Sequence, residues 1–360
     1  MATTKNKRLM SLDVLRGLTV ALMIMVNNGA GPTFHQLQHS KWNGVTLCDL
    51  VFPFFLFIMG VSTYLSLKKY NFKIGGAVSR KIVKRTALLF LIGLLINWFD
   101  KAVGGDLFPF DSLRIWGVMQ RIAICYCVVS FLALTLDHKY AFPITAAALL
   151  VIYSLILVFG NGYAYDESNI LAVVDRSLIG YEHLYHKSPV DPEGLLSTIP
   201  AIAHVMIGFY CGKKMSERGS TNSKVKIFAV IGIILVVSGL LLQFALPMNK
   251  RVWSPSYVLF TCGLASLLQS LLMYVIDIRK SQSWTMPCLV FGTNPLFLYV
   301  FSEFLAIIFG EYGIKESIHG VISGVVSIPE WASLTYAVFF LLLNFAIGYV
   351  LYKRKIFIKL

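Results

Sequence analysis

The feature that most constrains this chain is a recurrence of apolar runs, each near the length of a bilayer crossing, from Ser11 to Tyr352. A helix rises about 1.5 Å per residue, so about 20 apolar residues cross the hydrocarbon core. Charged residues make up only 14% of the 360, against 57% hydrophobic, and the mean hydropathy is +0.70. Soluble domains carry roughly 25% charge. The deficit means that most of the surface faces lipid. A backbone in lipid must satisfy its own polar groups, which leaves helices for runs of this kind. The expectation is an all-α, polytopic membrane helix bundle forming a single domain over residues 1–360.

About ten spanning helices are expected. They are Ser11–Ala30, Thr46–Leu67, Ile82–Phe99, Arg114–Leu136, Tyr140–Phe159, Leu195–Lys213, Val225–Leu246, Ser254–Ile276, Trp284–Phe309 and Trp331–Tyr352. Loop charge then selects an orientation. One side collects Lys5, Lys7, Arg8, Lys68, Lys69, Lys73, Arg80, Lys81, Lys84, Arg85, Lys139, Lys213, Lys214, Arg218, Lys224, Lys226, Arg279, Lys280, Lys353, Arg354, Lys355 and Lys359. The other side holds few cations and most of the acids. The positive-inside rule puts both termini in the cytoplasm. The net charge of +14 is accounted for by that rule and by anionic lipid, with no nucleic acid needed. A basic cytoplasmic face also suits a polyanionic substrate such as a nucleotide or coenzyme A.

The first apolar run carries Asp13 and Arg16 and ends in no small-residue cleavage site, so no cleavable signal is expected. The six cysteines do not form a framework, and read as free thiols packing as small hydrophobes. The longest outer loop, Gly160–Gly194, is polar, and its tyrosines read first as an interfacial belt. Glu182, His183 and His186 have loose spacing, so no metal site is expected there. No Walker loop, Rossmann glycine pattern, HExxH or GxSxG elbow occurs, which argues against ATP-driven pumps and common soluble hydrolases.

Chemistry concentrates between Asn27 and Gly60. Asn27 and Asn28 end the first helix, His35 and His39 follow, and Trp42-Asn43-Gly44 leads to Asp49 about one turn inside the second. A tight re-entry brings Asn27, His39 and Asp49 together. A histidine beside a buried carboxylate is oriented and made more basic, which suits proton abstraction or attack on a thioester. His35 reads as a solvated loop residue. Asp13 and Arg16, one turn apart, read as a local ion pair. Arg121 lies too deep for snorkelling and needs a partner, with Glu303 or Asp49 as candidates. Asn294-Pro295 breaks the ninth helix and exposes backbone along a cavity. His204 is left as a core residue. Helices one, two, four and nine thus share a polar interior, serving either catalysis or a solute path.

The stretch RLMSLDVLRGLTVALMIMVNN…HSKWNGVTLCDLVFPFFLFIMG resembles the membrane core of heparan-α-glucosaminide N-acetyltransferase and its bacterial relatives. LRIWGVMQRIA, DPEGLLSTIPAI, NKRVWSPSYVLFTCGLA and GTNPLFLYVFSE agree, in order, over nearly the whole chain. The resemblance implies an acetyltransferase in a bacterial inner membrane, without the lumenal N-terminal domain of the lysosomal enzyme. Its donor is cytosolic acetyl-CoA as co-substrate. Its acceptor is an amino sugar or glycosaminoglycan-like glycan on the periplasmic side, such as a terminal glucosamine. The family's catalytic histidine falls on His39, its acid on Asp49 and its asparagine on Asn27. Arg114 and Arg121 are expected to counter CoA charge, with Asn294 and Glu303 beside them along the donor path. The resemblance also suggests a homodimer, although no clean small-xxx-small seam supports one. The alternative function is a secondary transporter of a sugar or anionic solute, against which the lack of an evident repeat counts. A non-catalytic scaffold ranks last, since it leaves the polar cluster unexplained.

Overall fold

The computed structural model describes residues 9–358. Lys5, Lys7, Arg8 and Lys359, which counted toward the basic face, lie outside the described residues. Within them the chain forms thirteen helices and no strand. These are α1 (Met10–Asn27), α2 (Val51–Leu67), α3 (Gly76–Val103), α4 (Val118–Thr135), α5 (Ala141–Phe159), α6 (Ile170–Ile179), α7 (Thr198–Ser216), α8 (Thr221–Leu242), α9 (Pro255–Leu272), α10 (Met286–Thr293), α11 (Pro295–Glu311), α12 (Ile314–Val325) and α13 (Pro329–Lys353).

Eight of the described helices are long and apolar enough to cross a membrane, and α10 with α11 makes a ninth, bent by 84°. The tenth expected span is α7, which carries His204, Lys213 and Lys214 and so is less apolar. It is nonetheless central, packed against α2, α4, α5, α8 and α9. Helix ends differ from the apolar runs where polar residues continue the helix. Arg80, Lys81 and Lys84 are good helix formers, so α3 starts at Gly76 instead of Ile82. Ser220 caps α8 by accepting a hydrogen bond from Ser223 N at 3.2 Å, which moves its start to Thr221. Arg114 is in the loop before α4, not in the helix. The short amphipathic helices α6 and α12 were not expected, because neither is long enough to register as a span.

Close helix contacts use glycine. A Cβ on Gly60 of α2 would lie 2.2 Å from Val205 O, and one on Gly208 of α7 would lie 2.3 Å from Phe57 O. Gly17 of α1 and Gly292 of α10 meet in the same way, with such atoms 1.7 Å from Cys288 O and 2.2 Å from Asp13 O. Small residues here let backbones touch and gain dispersion contact where lipid supplies no hydrophobic drive.

The break between α10 and α11 falls at Asn294, as expected. Its side-chain amide donates to Ile356 O at 2.9 Å, and its Oδ1 accepts from Ile358 N at 2.8 Å. The buried Asn294 side chain at the break therefore holds the C-terminal segment.

The loops at one end of the bundle are tied together. Gly44 N donates to Met248 O at 2.8 Å, Asn249 Nδ2 to Asn43 Oδ1 at 3.1 Å, and Trp42 Nε1 to Tyr163 O at 2.8 Å. Gly44 has φ +111°, a conformation open to glycine and strained for other residues. At the opposite, basic end, Lys68 donates to Ser216 Oγ.

Candidate active site

The site is assembled where the α1–α2 connection meets the loop before α9. A short 3-10 turn, Cys48–Leu50, precedes α2 and sets Asp49 fully buried at its start. A carboxylate removed from water needs donors on every lone pair. Asp49 Oδ2 accepts from Ser40 N at 3.0 Å, Thr46 N at 3.1 Å and Thr46 Oγ1 at 3.0 Å. Tyr257 of α9 donates its hydroxyl to the Asp49 carbonyl oxygen. Asp49 Oδ1 is left for His39, whose Nδ1 is 2.8 Å away.

A carboxylate only accepts, so the proton of neutral His39 belongs on Nδ1 and the lone pair on Nε2. The His39 side chain is 48% exposed while that of Asp49 is sealed. The pair thus presents a reactive ring nitrogen to a substrate and anchors it from behind. Cys48 Sγ lies 3.1 Å from His39 Nδ1, and all six cysteines are free.

The third expected member, Asn27, ends α1 with its residue exposed, and no hydrogen bond joins it to His39 or Asp49. Sequence reasoning missed Lys250. Its Nζ stands 2.9 Å from His39 Nδ1, 3.2 Å from Nε2 and 3.5 Å from Asp49 Oδ1. The sequence signal was its place in the stretch NKRVWSPSYVLFTCGLA, in the loop before α9, 201 residues after Asp49.

Among the described residues, none of the four residues expected along the donor path hydrogen-bonds His39. Arg114 bonds Asp191 at 2.8 Å and Glu193 at 3.0 Å, and its guanidinium covers the Tyr185 ring. Burial tends to raise the Glu193 pKa, but Arg114, with Arg121 and Lys250 nearby, outweighs that and leaves it below the ordinary carboxylate value. Arg121 is fully buried, yet its partner is neither Glu303 nor Asp49. It donates to Gly194 O at 3.1 Å and to Ser197 Oγ, and lies 5.0 Å from the Trp253 ring centre. The loop entering α7 approaches α4 closely enough that a backbone carbonyl and a hydroxyl answer Nη2, while Nε and Nη1 are buried with no hydrogen-bond partner among the described residues. Asn294 holds the C-terminal segment, and Glu303 lies beside Tyr299 one turn away on α11.

In the outer loop, Asp175 accepts from Leu195 N at 3.0 Å and Leu196 N at 3.3 Å through Oδ1. Burial raises its pKa to about 6. His183 binds Leu113 O and so ties the outer loop to the segment before α4, while His186 contacts Glu182 O within its own loop. His204 is buried with its ring 6.0 Å from Trp253.

A cavity of about 930 Å³ opens at the basic end, lined by Arg16, Lys68, Lys69, Arg218 and Lys224 together with Asp13 and Glu217. Arg16 pairs with Asp13 at 3.3 Å, as expected, and also donates to Ser62 at 3.0 Å. Arg16 and Ser62 also line a second cavity of about 250 Å³, which runs deeper past Arg85 to Phe55. Phe55 is six residues past Asp49, through the 3-10 turn and into the first turns of α2, about 10 Å of helix rise. The paired cavities therefore run from a cationic mouth toward the buried side of the His39 site. Arg114, Arg121, Asn294 and Glu303 line neither cavity.

Residues 8–241 match the family described as heparan-alpha-glucosaminide N-acetyltransferase, catalytic. Two curated relatives carry the name heparan-alpha-glucosaminide N-acetyltransferase. The mouse (Mus musculus) protein is 30% identical and the human (Homo sapiens) protein 29%, each over 98% of this chain. The chain spans about 60% of the length of these relatives.

Proposed function

The chain belongs to the heparan-alpha-glucosaminide N-acetyltransferase catalytic family, and from that premise we propose that it carries acetyl groups across a membrane, from acetyl-CoA to an amine. The observation that carries this reading is the His39–Asp49 pair at one end of the bundle, with a cationic cavity leading toward it from the other. A pump or scaffold has no need of that combination. The basic end faces the cytoplasm by the lysine and arginine asymmetry, and both termini lie there. His39 then faces outward, toward the periplasm of a bacterial cell.

The phosphates of acetyl-CoA suit the mouth formed by Lys68, Lys69, Arg218 and Lys224, and the acyl arm suits the narrower cavity past Ser62. At the site, the acceptor amine attacks the thioester carbonyl carbon while His39 Nε2 takes its proton. The C–S bond breaks, and the departing thiolate regains that proton as CoA thiol. Asp49 holds the Nδ1 proton and stabilises the imidazolium between these steps. If the same lone pair attacks the thioester directly, an acetyl-imidazole precedes the amine. Asn27 supplies a side-chain amide to bound substrate. The acceptor class is a terminal glucosamine or related amino sugar.

Purified protein with labelled acetyl-CoA and glucosamine tests the proposal. Native protein forms labelled N-acetylglucosamine and the His39→Ala variant, equally folded, forms none. Full activity in that variant would refute the mechanism. Label retained on native protein without acceptor distinguishes the acetyl-imidazole route. The transporter reading is weakened, because Asn294 at the break in α10–α11 bonds the C-terminal segment.

A further inference from the structure

We propose that Lys250 is a third catalytic group, whose ammonium binds the carbonyl oxygen of the acetyl group as negative charge develops on it; this rests on the acetyl-transfer reading above.

The geometry at His39 is the starting point. With its proton on Nδ1 and aimed at Asp49, that nitrogen has no lone pair for Lys250, although Nζ is only 2.9 Å away. The remaining acceptors for Nζ among the described residues are the Nε2 lone pair at 3.2 Å and Asp49 Oδ1 at 3.5 Å, a long contact. An ammonium has three donors, and the Lys250 side chain is 13% exposed. It is therefore largely removed from water and short of acceptors, next to the nitrogen that must react. A substrate carbonyl approaching Nε2 displaces the ammonium from that lone pair and offers its oxygen within hydrogen-bond reach of Nζ. The contact strengthens as the carbonyl becomes an oxyanion, which is the condition for lowering a barrier instead of merely binding substrate.

The lysine is also held in place. Lys250 O accepts from Trp253 N at 3.0 Å, and Asn249 N donates to Ser254 Oγ at 3.0 Å. Trp253 adopts a left-handed backbone, φ +51°, and is completely buried against Phe52 and Tyr257. The Gly44–Met248 and Asn43–Asn249 hydrogen bonds clamp this loop to the one that carries His39. A fixed donor aimed at the reacting atom loses little by reorganisation during the step. The other charged groups around Lys250 are Asp49, at 3.5 Å, and Glu193.

In the step itself, the amine nitrogen forms a bond to the carbonyl carbon, and the carbonyl π electrons move onto oxygen, where Lys250 donates without giving up its proton. Collapse returns those electrons, expels the thiolate and leaves the amide. The amine's proton passes through His39 to the thiolate, and Lys250 is unchanged.

The test compares kcat and KM for acetyl-CoA in the full-length native protein, Lys250→Met and Lys250→Arg, with folded fractions from thermal melting. The expected result is a fall in kcat of about 10²–10³-fold in Lys250→Met, with KM within about threefold. Lys250→Arg, which keeps a cationic donor, recovers about a tenth of the native kcat or more. Equal kcat per folded molecule in all three proteins means that Lys250 only balances Asp49, and overturns the assignment. A loss confined to KM overturns it also. If Lys250→Met does not fold, Lys250→Gln is judged by the same kcat criterion. Native protein that acetylates no amine refutes the acetyltransferase reading and this inference together; native activity indifferent to Lys250 refutes this inference alone.

Discussion

Replacing Asp49 by asparagine removes one charge and alters almost no volume, yet the hydrogen bonds around it decide the outcome. Three donors, Ser40 N, Thr46 N and Thr46 Oγ1, converge on Oδ2. An amide NH2 placed there would face all three, so the amide oxygen takes that position. The NH2 then occupies the place of Oδ1, 2.8 Å from His39 Nδ1. Two donors cannot face each other, and His39 answers by moving its proton to Nε2. The reactive lone pair is then gone from the substrate side. Restoring it costs one hydrogen bond and leaves a buried donor unpaired, each about 1–3 kcal/mol. The sum, about 2–6 kcal/mol, is a fall in kcat of about 30-fold to 10⁴-fold. The tautomer swap in serine proteases is of similar size, about 10⁴. Oδ2's three bonds survive on a neutral oxygen, so the variant folds. The assay is acetyl transfer at saturating acetyl-CoA and acceptor, alongside a thermal melt. A folded Asp49→Asn variant within about tenfold of native kcat would show that Asp49 does not set the His39 tautomer.

Two other expectations concern the outer loop. Arg114→Met leaves Asp191 and Glu193 without their cation, and loss of one partner from a buried pair costs about 3–5 kcal/mol. Its thermal midpoint falls while KM for acetyl-CoA holds; a raised KM at unchanged stability would return Arg114 to the donor site. Asp175 has its pKa lifted by burial from 3.8 to about 6, so the folded protein binds the proton more tightly than the unfolded chain. Its contribution to stability is greatest below about pH 4, declines by up to about 3 kcal/mol as pH rises to 6, and is flat above. Asp175→Asn keeps the acceptor for Leu195 N and Leu196 N and abolishes that slope. Melting curves across this range check it, and an unchanged slope in the variant would exclude Asp175 as its source.

The spans were legible because lipid imposes a length and an apolarity that any crossing helix must meet. This held for the broken α10–α11 pair, whose Asn294-Pro295 signature marks the bend directly. The helix ends were less legible, since α3 and α8 continue through basic and polar turns that water permits. His39 and Asp49 were legible as a pair because they are ten residues apart across one turn. Local geometry alone brings them together.

Arg121 shows where that reading stops. Its place inside an expected span from Arg114 called for a partner; α4 instead starts at Val118 with Arg121 in its first turn, and Gly194 O and Ser197 Oγ arrive from a loop more than seventy residues on. Arg114 bore the same charge and motif as a phosphate ligand, and is instead matched to Asp191 and Glu193. By itself the sequence determined the all-helical architecture, most of the apolar crossings and the nearest-neighbour chemistry of His39 with Asp49. Each depends on local periodicity or on solvent. The tertiary structure alone decided that Lys250 stands beside His39, that Arg114 pairs with Asp191 and Glu193, and that the cationic cavity is lined by Arg16, Lys68, Lys69, Arg218 and Lys224. Those pairings join residues far apart in the chain, and only the packing of helices and the clamping of loops sets which charge meets which.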